Sequence, residues 1–552
     1  MIIFLVNQVL VSLYKSEHRR FIKQSRYSKE VQEEKLFSII DANSNTEFGR
    51  CNSFDKVNCY DSYRENVNIM QYEDYSKYIS KIASGESNIL TSENVKMFEP
   101  TSGSSSKKKL IPYTDGLKME FLRGIKVWIY DLFSKSSDIK GGFSYWSITP
   151  IVETNDYDSV IPVAFEEDSS YFGKLSKKLL DYTFCVPSIV KKVSNIDSFR
   201  YVTLLFLLKR KNLRLISIWN PSYLILLTEE IPLVFDSIVK DIELGTINEL
   251  VILDDEIRKQ LNRSLKKDIK RSNELRFLSK ECSPEDIWPH LRVISCWADG
   301  NSKKLADDLQ NLFPKTKIQP KGLLSTEAFS TFPFGENDER LLSINSHFFE
   351  FIKLTAKSND KKSYLAHELV VGEEYIEIIT TSGGLYRYNT GDVVKCVGYY
   401  NTVPKLQFVG KERMVSDFFG EKLNEVFVKE VIKSVLIRLN AKIDFNIFVL
   451  EETYKSYVLF SRFDSVLSNE LLIEIEVMLD ERLRENFHYD YCRKLGQLES
   501  VRIIQFKEIA KSELVKIYQQ SLLDEGMRLG DIKDSIFSKK TRWLKTFDEV
   551  IL

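Results

Sequence analysis

The sequence has little of what builds metal sites or disulfide scaffolds. Its five histidines show no ligand spacing to one another, and its seven cysteines, at 51, 59, 185, 282, 296, 396 and 492, are odd in number, scattered and never arranged as CxxC. A structural zinc site and a disulfide framework are not expected, and reduced thiols in a cytoplasm fit best. Net charge is nearly absent: 78 Lys and Arg against 79 Asp and Glu leave −1 at pH 7, with short basic clusters at Lys107–Lys109 and Lys539–Lys540. A general nucleic-acid binder needs a concentrated basic surface, so nucleic acid is not an expected partner. No long hydrophobic run marks a membrane span. The apolar opening Met1–Val11 is interrupted by Asn7 and Gln8, lacks a basic leader and is followed by no small-residue cleavage site, so it reads as a packed N-terminal helix. The common mononucleotide loop GxxxxGK[ST] is missing, and no internal repeat is evident.

What is present is apolar mass. At 552 residues, 43% hydrophobic and 12% aromatic, the chain can bury two or three substantial cores. The stretch around which it is organised is Phe98–Pro112, in which small hydroxyl residues surround the lone Gly103 and three lysines follow. Such a loop can wrap backbone N–H groups around phosphate oxygens, with hydroxyls and a lysine adding to the cradle. A solvated Ser/Lys surface loop is the alternative.

Along the chain, periodicity predicts helices over 1–40 and Tyr72–Ile82, and Thr114 is placed to cap a long helix running to about Tyr130. Strand character follows over 141–165, at Leu213–Trp219, at Leu291–Trp297 and at Ile318–Leu324, with mostly helical sequence across 174–240 and an exposed helical stretch over Asp254–Leu278. Strands separated by helices indicate α/β layering. Gly322–Glu327 brings an acid to the end of a strand, where ligands of open α/β sheets sit, although a helix cap would use the same residue. Residues 341–380 alternate as antiparallel strands. Beyond them, Gly391-Asp392 is either a hairpin turn or a carboxylate positioned to accept hydrogen bonds from two neighbouring hydroxyls, as on a ribose. Polar and glycine residues at Met414–Gly420 mark a boundary, and the remainder, with a helix over about 468–486, strands near 445–460 and 501–504 and a basic, turn-rich tail over 522–547, is long enough for a separate α+β domain. Lys533 follows the Gly530 turn there, either as a solvated lysine or as one able to reach a phosphate.

In combination these segments resemble the acyl acid–amido synthetases of the auxin-responsive, hormone-conjugating kind, a branch of the adenylate-forming superfamily. Three nucleotide motifs carry the likeness: Thr101–Pro112, Gly322–Glu327, and Tyr386–Asp392 continuing through Phe408–Lys411 and Gly420–Lys422. Flanking sequence agrees at Asn45–Arg50, Tyr72–Tyr75, Phe348–Phe351 and Asn486–Tyr489. Some positions depart from the family pattern: Ser106-Lys107 replaces a late glycine, Asn389 and Thr390 stand where Arg and Leu are common, Lys411 replaces Arg, and Asp534-Ser535 replaces a proline-containing pair.

The resemblance implies α/β and α+β architecture in an adenylate-forming fold, with a large multi-sheet N-terminal domain (1–415) binding ATP and acyl substrate, and a small mobile C-terminal domain (416–552). It implies ATP-dependent adenylation of a small carboxylic acid, then amide formation with an amino acid or other small amine, with ATP and Mg2+ as cofactors. Ser102, Gly103, Ser104, Ser105, Lys109 and Gly322 would contribute to the nucleotide site and Thr326 would lie near the adenylate phosphate. Glu327 would help hold Mg2+, Asp392 would bind the ribose hydroxyls, and Lys533 would reach the reacting phosphate. A monomer would suit a hinged two-domain enzyme. A related ligase passing its acyl group to a thiol, and a catalytically weak ligand-binding homologue, are the alternatives. The acyl pocket is expected from roughly 120–240, where Phe121, Trp128, Tyr145 and Trp146 read first as core and second as its lining.

Overall fold

A computed structural model describes residues 2–101, 109–147, 159–163, 182–354, 362–412, 415–416, 419, 421, 423–451, 453–524, 527, 536–538 and 543–552. The chain divides into two compact units, Met1–Val409 and Gly410–Leu552.

The apolar opening is a helix, α1 (Ile2–Gln24), whose Leu10, Val11, Tyr14 and Phe21 are buried. Asn7, which interrupts the apolar run, is an anchor: its buried amide donates to the carbonyls of Lys140 at 2.9 Å and Gly142 at 3.2 Å. Helices α2 (Ser28–Asn43), α3 (Glu47–Cys51), α4 (Tyr60–Asn66) and α5 (Tyr72–Ala83) follow. A hairpin, β1 (Met97–Thr101) and β2 (Lys109–Tyr113), closes with Thr101 opposite Lys109. Then comes α6 (Asp115–Lys135), where the Thr114 hydroxyl accepts the Leu117 amide at 3.1 Å as the expected N-cap.

The α/β layering is a parallel sheet in the order β3 (Phe143–Trp146), β4 (Leu213–Ser217), β5 (Val293–Cys296) and β6 (Lys317–Pro320). Helices such as Ile196–Lys209, Pro221–Leu244 and Lys303–Leu312 connect its strands, as parallel pairing requires. The stretch Asp254–Leu278 is helical as expected, in two helices, but Leu261, Leu265, Arg271 and Leu275 on them are buried against this layer. The strand expected over Ile318–Leu324 stops at Pro320, because Gly322 leads the chain into a separate hairpin.

A second, antiparallel sheet takes the order β10-β9-β11-β12-β13-β8-β7. Its strands are β7 (Thr331–Phe334), β8 (Glu339–Leu342), β9 (Phe348–Lys353), β10 (Ser363–Leu365), β11 (Glu374–Thr380), β12 (Tyr388–Tyr400) and β13 (Val403–Lys411). Its apolar side shares one core with α1–α6.

The second unit is α+β: a three-stranded sheet of β16 (Ile443–Glu451), β17 (Ser456–Phe463) and β18 (Arg502–Gln505), beside the short pair β14 (Val415–Ser416) and β15 (Leu423–Asn424). β17 and β18 run parallel, with the helices Asn469–Leu483 and Phe487–Lys494 between them. The tail differs from the basic, turn-rich reading where it is described. Trp543 and Phe547 are fully buried, Trp543 stacks on Tyr518 at 5.3 Å, and Ile551 bridges Phe506. All seven cysteines are free thiols, and among the described residues no helix is long and apolar enough to cross a membrane.

Candidate active site

Of the sequence-nominated residues, Lys109, Gly322, Thr326, Glu327 and Asp392 are described, and the first unit supplies all of them. Ser102, Gly103, Ser104, Ser105 and Lys533 lie outside the described residues.

Gly391-Asp392 is neither a hairpin turn nor loop. It lies within β12, at an irregularity of the ladder: Ile376 faces Val393 and Ile378 faces Asn389, so three residues on β12 stand against Glu377 alone. Gly391 has φ +71°, with nothing within 4 Å of a notional Cβ, so backbone conformation rather than space calls for glycine here. The residues that depart from the family pattern hold the bulge. The Asn389 side chain accepts the Gly391 amide at 2.7 Å, and the Thr390 hydroxyl accepts the Asp392 amide at 3.1 Å. Asp392 itself is buried.

Gly322–Glu327 forms the first arm and tip of a second hairpin. Leu324 bridges Phe329, Ser325 and Ala328 exchange hydrogen bonds, and half-buried Thr326 and Glu327 occupy the turn between them, with no helix for Glu327 to cap. A Cβ on Gly322 would stand 1.8 Å from the Thr331 carbonyl oxygen, so the hairpin can fold back onto β7 only with glycine at its base. Gly322→Ala is expected to cost about 2–3 kcal/mol through overpacking against backbone, visible as a lower urea midpoint at unchanged m.

Tyr388, the first residue of β12, connects these pieces. Lys109 Nζ lies 3.3 Å from its hydroxyl and 5.5 Å from the centroid of the Tyr72 ring. Burial, with the negative charges of Glu327 and Asp392 after it, holds the Tyr388 phenol far above its ordinary value, so it stays a neutral hydroxyl that accepts from Lys109. Glu327, Asp392 and Lys109, from three separate motifs, thus share one electrostatic environment around one buried ring, with Lys109 at the foot of the β1–β2 hairpin.

The supports of this site are residues that spacing alone does not nominate. Arg387 has φ +45° and is locked by Glu350, to which its Nε donates at 3.1 Å, and by the carbonyls of Arg64 and Val67. Tyr60 donates to the same Glu350 at 2.7 Å. The Tyr386 amide donates to the Tyr75 hydroxyl at 2.8 Å, and Phe48 stacks on Tyr386 at 4.7 Å. Three flanking segments of the sequence, Asn45–Arg50, Tyr72–Tyr75 and Phe348–Phe351, therefore converge on Tyr386-Arg387, which leads into the strand that carries Asp392. Behind the Glu327 hairpin, the Phe329 amide donates to His347 Nε2 at 3.0 Å, which leaves Nδ1 to donate to Glu120 at 2.9 Å. Burial alone would raise Glu120, but Lys35 at 2.6 Å and His347 bring its carboxyl down to about 2.

With this geometry in view, the models of the GH3 family N-terminal domain and the GH3 family central domain match residues 17–318 and 340–411. The chain belongs to the GH3 family. Among its relatives is the indole-3-acetic acid-amido synthetase GH3.2 of Arabidopsis thaliana, 24% identical over 446 residues, 75% of this chain and 80% of that protein. Another is the jasmonoyl–L-amino acid synthetase JAR6 of Nicotiana attenuata, 24% identical over 451 residues, 74% of this chain and 73% of that protein. The solved GH3.15 acyl acid amido synthetase superposes with a TM-score of 0.78 at 19% identity, covering 96% of this chain and 95% of that one. The fold is thus the adenylate-forming α/β and α+β architecture of GH3 proteins. Glu327 and Asp392 both act on the Tyr388 phenol because a hairpin and a bulge, rather than sequence proximity, carry them there.

Proposed function

We propose that this GH3 protein is an ATP-dependent acyl acid–amido synthetase. A carboxylate oxygen of a small acid attacks the α-phosphorus of ATP, the bond to pyrophosphate breaks, and an acyl-adenylate forms. The free-base amine of an amino acid then attacks the acyl carbon, the bond to AMP breaks, and an amide results. The observation that carries this reading is the gathering of Glu327, Asp392 and Lys109 around Tyr388, with Lys109 at the base of the Ser/Lys loop.

In this reading Asp392 accepts the two ribose hydroxyls, and its bulge fixes where they sit. Lys109 and the loop 102–105 address phosphate oxygens, Thr326 lies beside the adenylate phosphate, and Lys533 balances charge on the reacting phosphate. Among the described residues no group of three or more His, Cys, Asp or Glu is placed to hold a metal. Glu327, a single half-buried carboxylate, is the residue that would hold Mg2+ together with the phosphates of the nucleotide. Bound there, Mg2+ would offset charge on the transferring phosphoryl group. Small acids and amines are the partners, the protein acts as a monomer, and free thiols suit a reducing cytoplasm.

The test is exchange of labelled pyrophosphate into ATP across a library of small carboxylic acids, followed by product analysis with amino acids. Exchange should require both an acid and Mg2+, should fall in Glu327→Gln and Lys533→Ala, and should give way to amide plus AMP once a cognate amine is supplied. A thioester in place of an amide, or nucleotide binding with no exchange for any acid, would overturn it.

A further inference from the structure

A helix that packs one side on a core is expected to turn polar residues to water on the other, and the first half of α1 does not. Its inner side is fixed: Leu10, Val11, Tyr14 and Phe21 are buried, and the Asn7 amide donates to the Lys140 and Gly142 carbonyls. Its outer side carries Ile2, Leu5, Val9 and Leu13, each between 48% and 60% exposed. Steps of three, four and four residues keep these side chains on one stripe, roughly 16 Å long at the helical rise. Single exposed apolar side chains are ordinary. A row of four on a helix already anchored by its opposite side is not.

The same stripe changes character half-way along the helix. Continuing by three and four residues, it passes Ser16 and reaches Arg20 and Lys23, with Arg19 beside them. Lys15, Arg19, Arg20, Lys23, Arg26 and Lys29 are all exposed, and among the described residues none of them is ion-paired; Arg20 donates only to the Gln24 side chain. Between Ile2 and Lys29 the one acid is Glu17, which is half-buried, and acids return only on α2, from Glu30 onward. Tyr27, an aromatic with a polar tip, is exposed among these cations.

An apolar row followed along one face by unpaired cations matches, in order, the acyl boundary and the anionic headgroup layer of a bilayer. A second copy of the chain matches it poorly. Paired antiparallel, each basic half would lie on the other copy's apolar half, and paired parallel, cation would meet cation, so in neither arrangement do the cations gain a partner. We propose that the outer face of α1 docks the protein onto an anionic lipid surface, with the Ile2–Leu13 row entering the acyl boundary and Arg19, Arg20 and Lys23 taking the lipid phosphates and carboxylates. The helix lies on the surface and does not span it, because its inner side stays packed in the core. The docking face uses none of the residues assigned to nucleotide or acid, so its failure would leave the proposed synthetase untouched.

Flotation of the full chain with large unilamellar vesicles tests this. Binding to vesicles of phosphatidylcholine mixed with phosphatidylserine should be ~10-fold or more tighter than to phosphatidylcholine alone, and should weaken as salt is raised. Leu5→Ser combined with Val9→Ser should weaken it ~10-fold or more, and so should Arg19→Gln, Arg20→Gln and Lys23→Gln combined. Both sets lie on the exposed side of α1, so circular dichroism and the urea midpoint should match wild type; should the apolar pair fail to fold, the charge variant carries the test alone. No binding to phosphatidylserine vesicles, or binding that the folded variants retain in full, overturns the proposal. So does a dimer in sedimentation that Leu5→Ser with Val9→Ser dissociates in a protein that ignores vesicles, which would give the apolar row to a second copy.

Discussion

Glu120→Gln should destabilise the first unit by about 3–5 kcal/mol, the usual result of removing one partner from a buried charge cluster. Glu120 is 2% exposed and holds three elements at once: Lys35 of α2, His347 ahead of β9, and the Ser382 turn, whose amide and hydroxyl both donate to it. A glutamine supplies one acceptor oxygen and presents two donors to a site lined with donors. His347 cannot compensate by changing tautomer, because its Nε2 already accepts the Phe329 amide. The loss should appear as a lower urea midpoint, with the Glu327 hairpin losing its tie through Phe329.

The same cluster fixes an acid limit. The Glu120 carboxyl sits at about 2 in the fold against an ordinary 4.5, so its contribution is complete above about pH 4.5 and is lost as pH falls toward 2. Burial holds the His347 imidazole below its ordinary value, so the unfolded chain takes up that proton first and stability already declines below the ordinary histidine range near 6.5. Both groups make acid destabilising. In wild type, urea midpoints should fall in two stages between pH 7 and pH 3, and Glu120→Gln should flatten the lower stage. A midpoint independent of pH over that interval would contradict the assignment.

Much of the fold was legible because periodicity follows burial. The Thr114 cap, the antiparallel run over 341–380 and the buried β5 all take the form expected of them. Local pattern fails where a residue's meaning is set from far away. The bulge at Gly391-Asp392 exists only because β11 lies opposite, so as a dipeptide it reads equally well as a turn. Arg387 looks like an ordinary charged residue until Glu350, 37 positions earlier in the chain, is beside it. Lys321 shows nothing in sequence that sets it apart from a surface lysine, since the rings of Trp128, Trp146 and Trp219 against its amine come from three separate segments. Candidate acids could be nominated from the family motifs, but their shared electrostatic environment at Tyr388 required the tertiary structure.

For Asp392→Asn, the expected effect on catalysis is larger than on stability. Asparagine keeps the shape of a side chain that is 2% exposed, and the Asn389 and Thr390 side chains still hold the bulge through the Gly391 and Asp392 amides. What changes is acceptor capacity: a carboxylate takes a hydrogen bond from each of two vicinal hydroxyls, whereas the amide has one acceptor oxygen and turns two donors toward them. At about 1.5–3 kcal/mol for each hydrogen bond to a charged group, kcat/KM for ATP in pyrophosphate exchange should fall ~10²-fold or more. That fall alone would not separate ribose binding from displaced backbone, but 2′-deoxy-ATP does. Wild type should use the deoxynucleotide ~10-fold or more less well than ATP, and Asp392→Asn should treat the two nearly alike, because the missing hydroxyl and the missing acceptor remove the same contact. A variant that still discriminates against 2′-deoxy-ATP as wild type does would place the ribose elsewhere and leave Asp392 as a buried charge acting on the Tyr388 phenol.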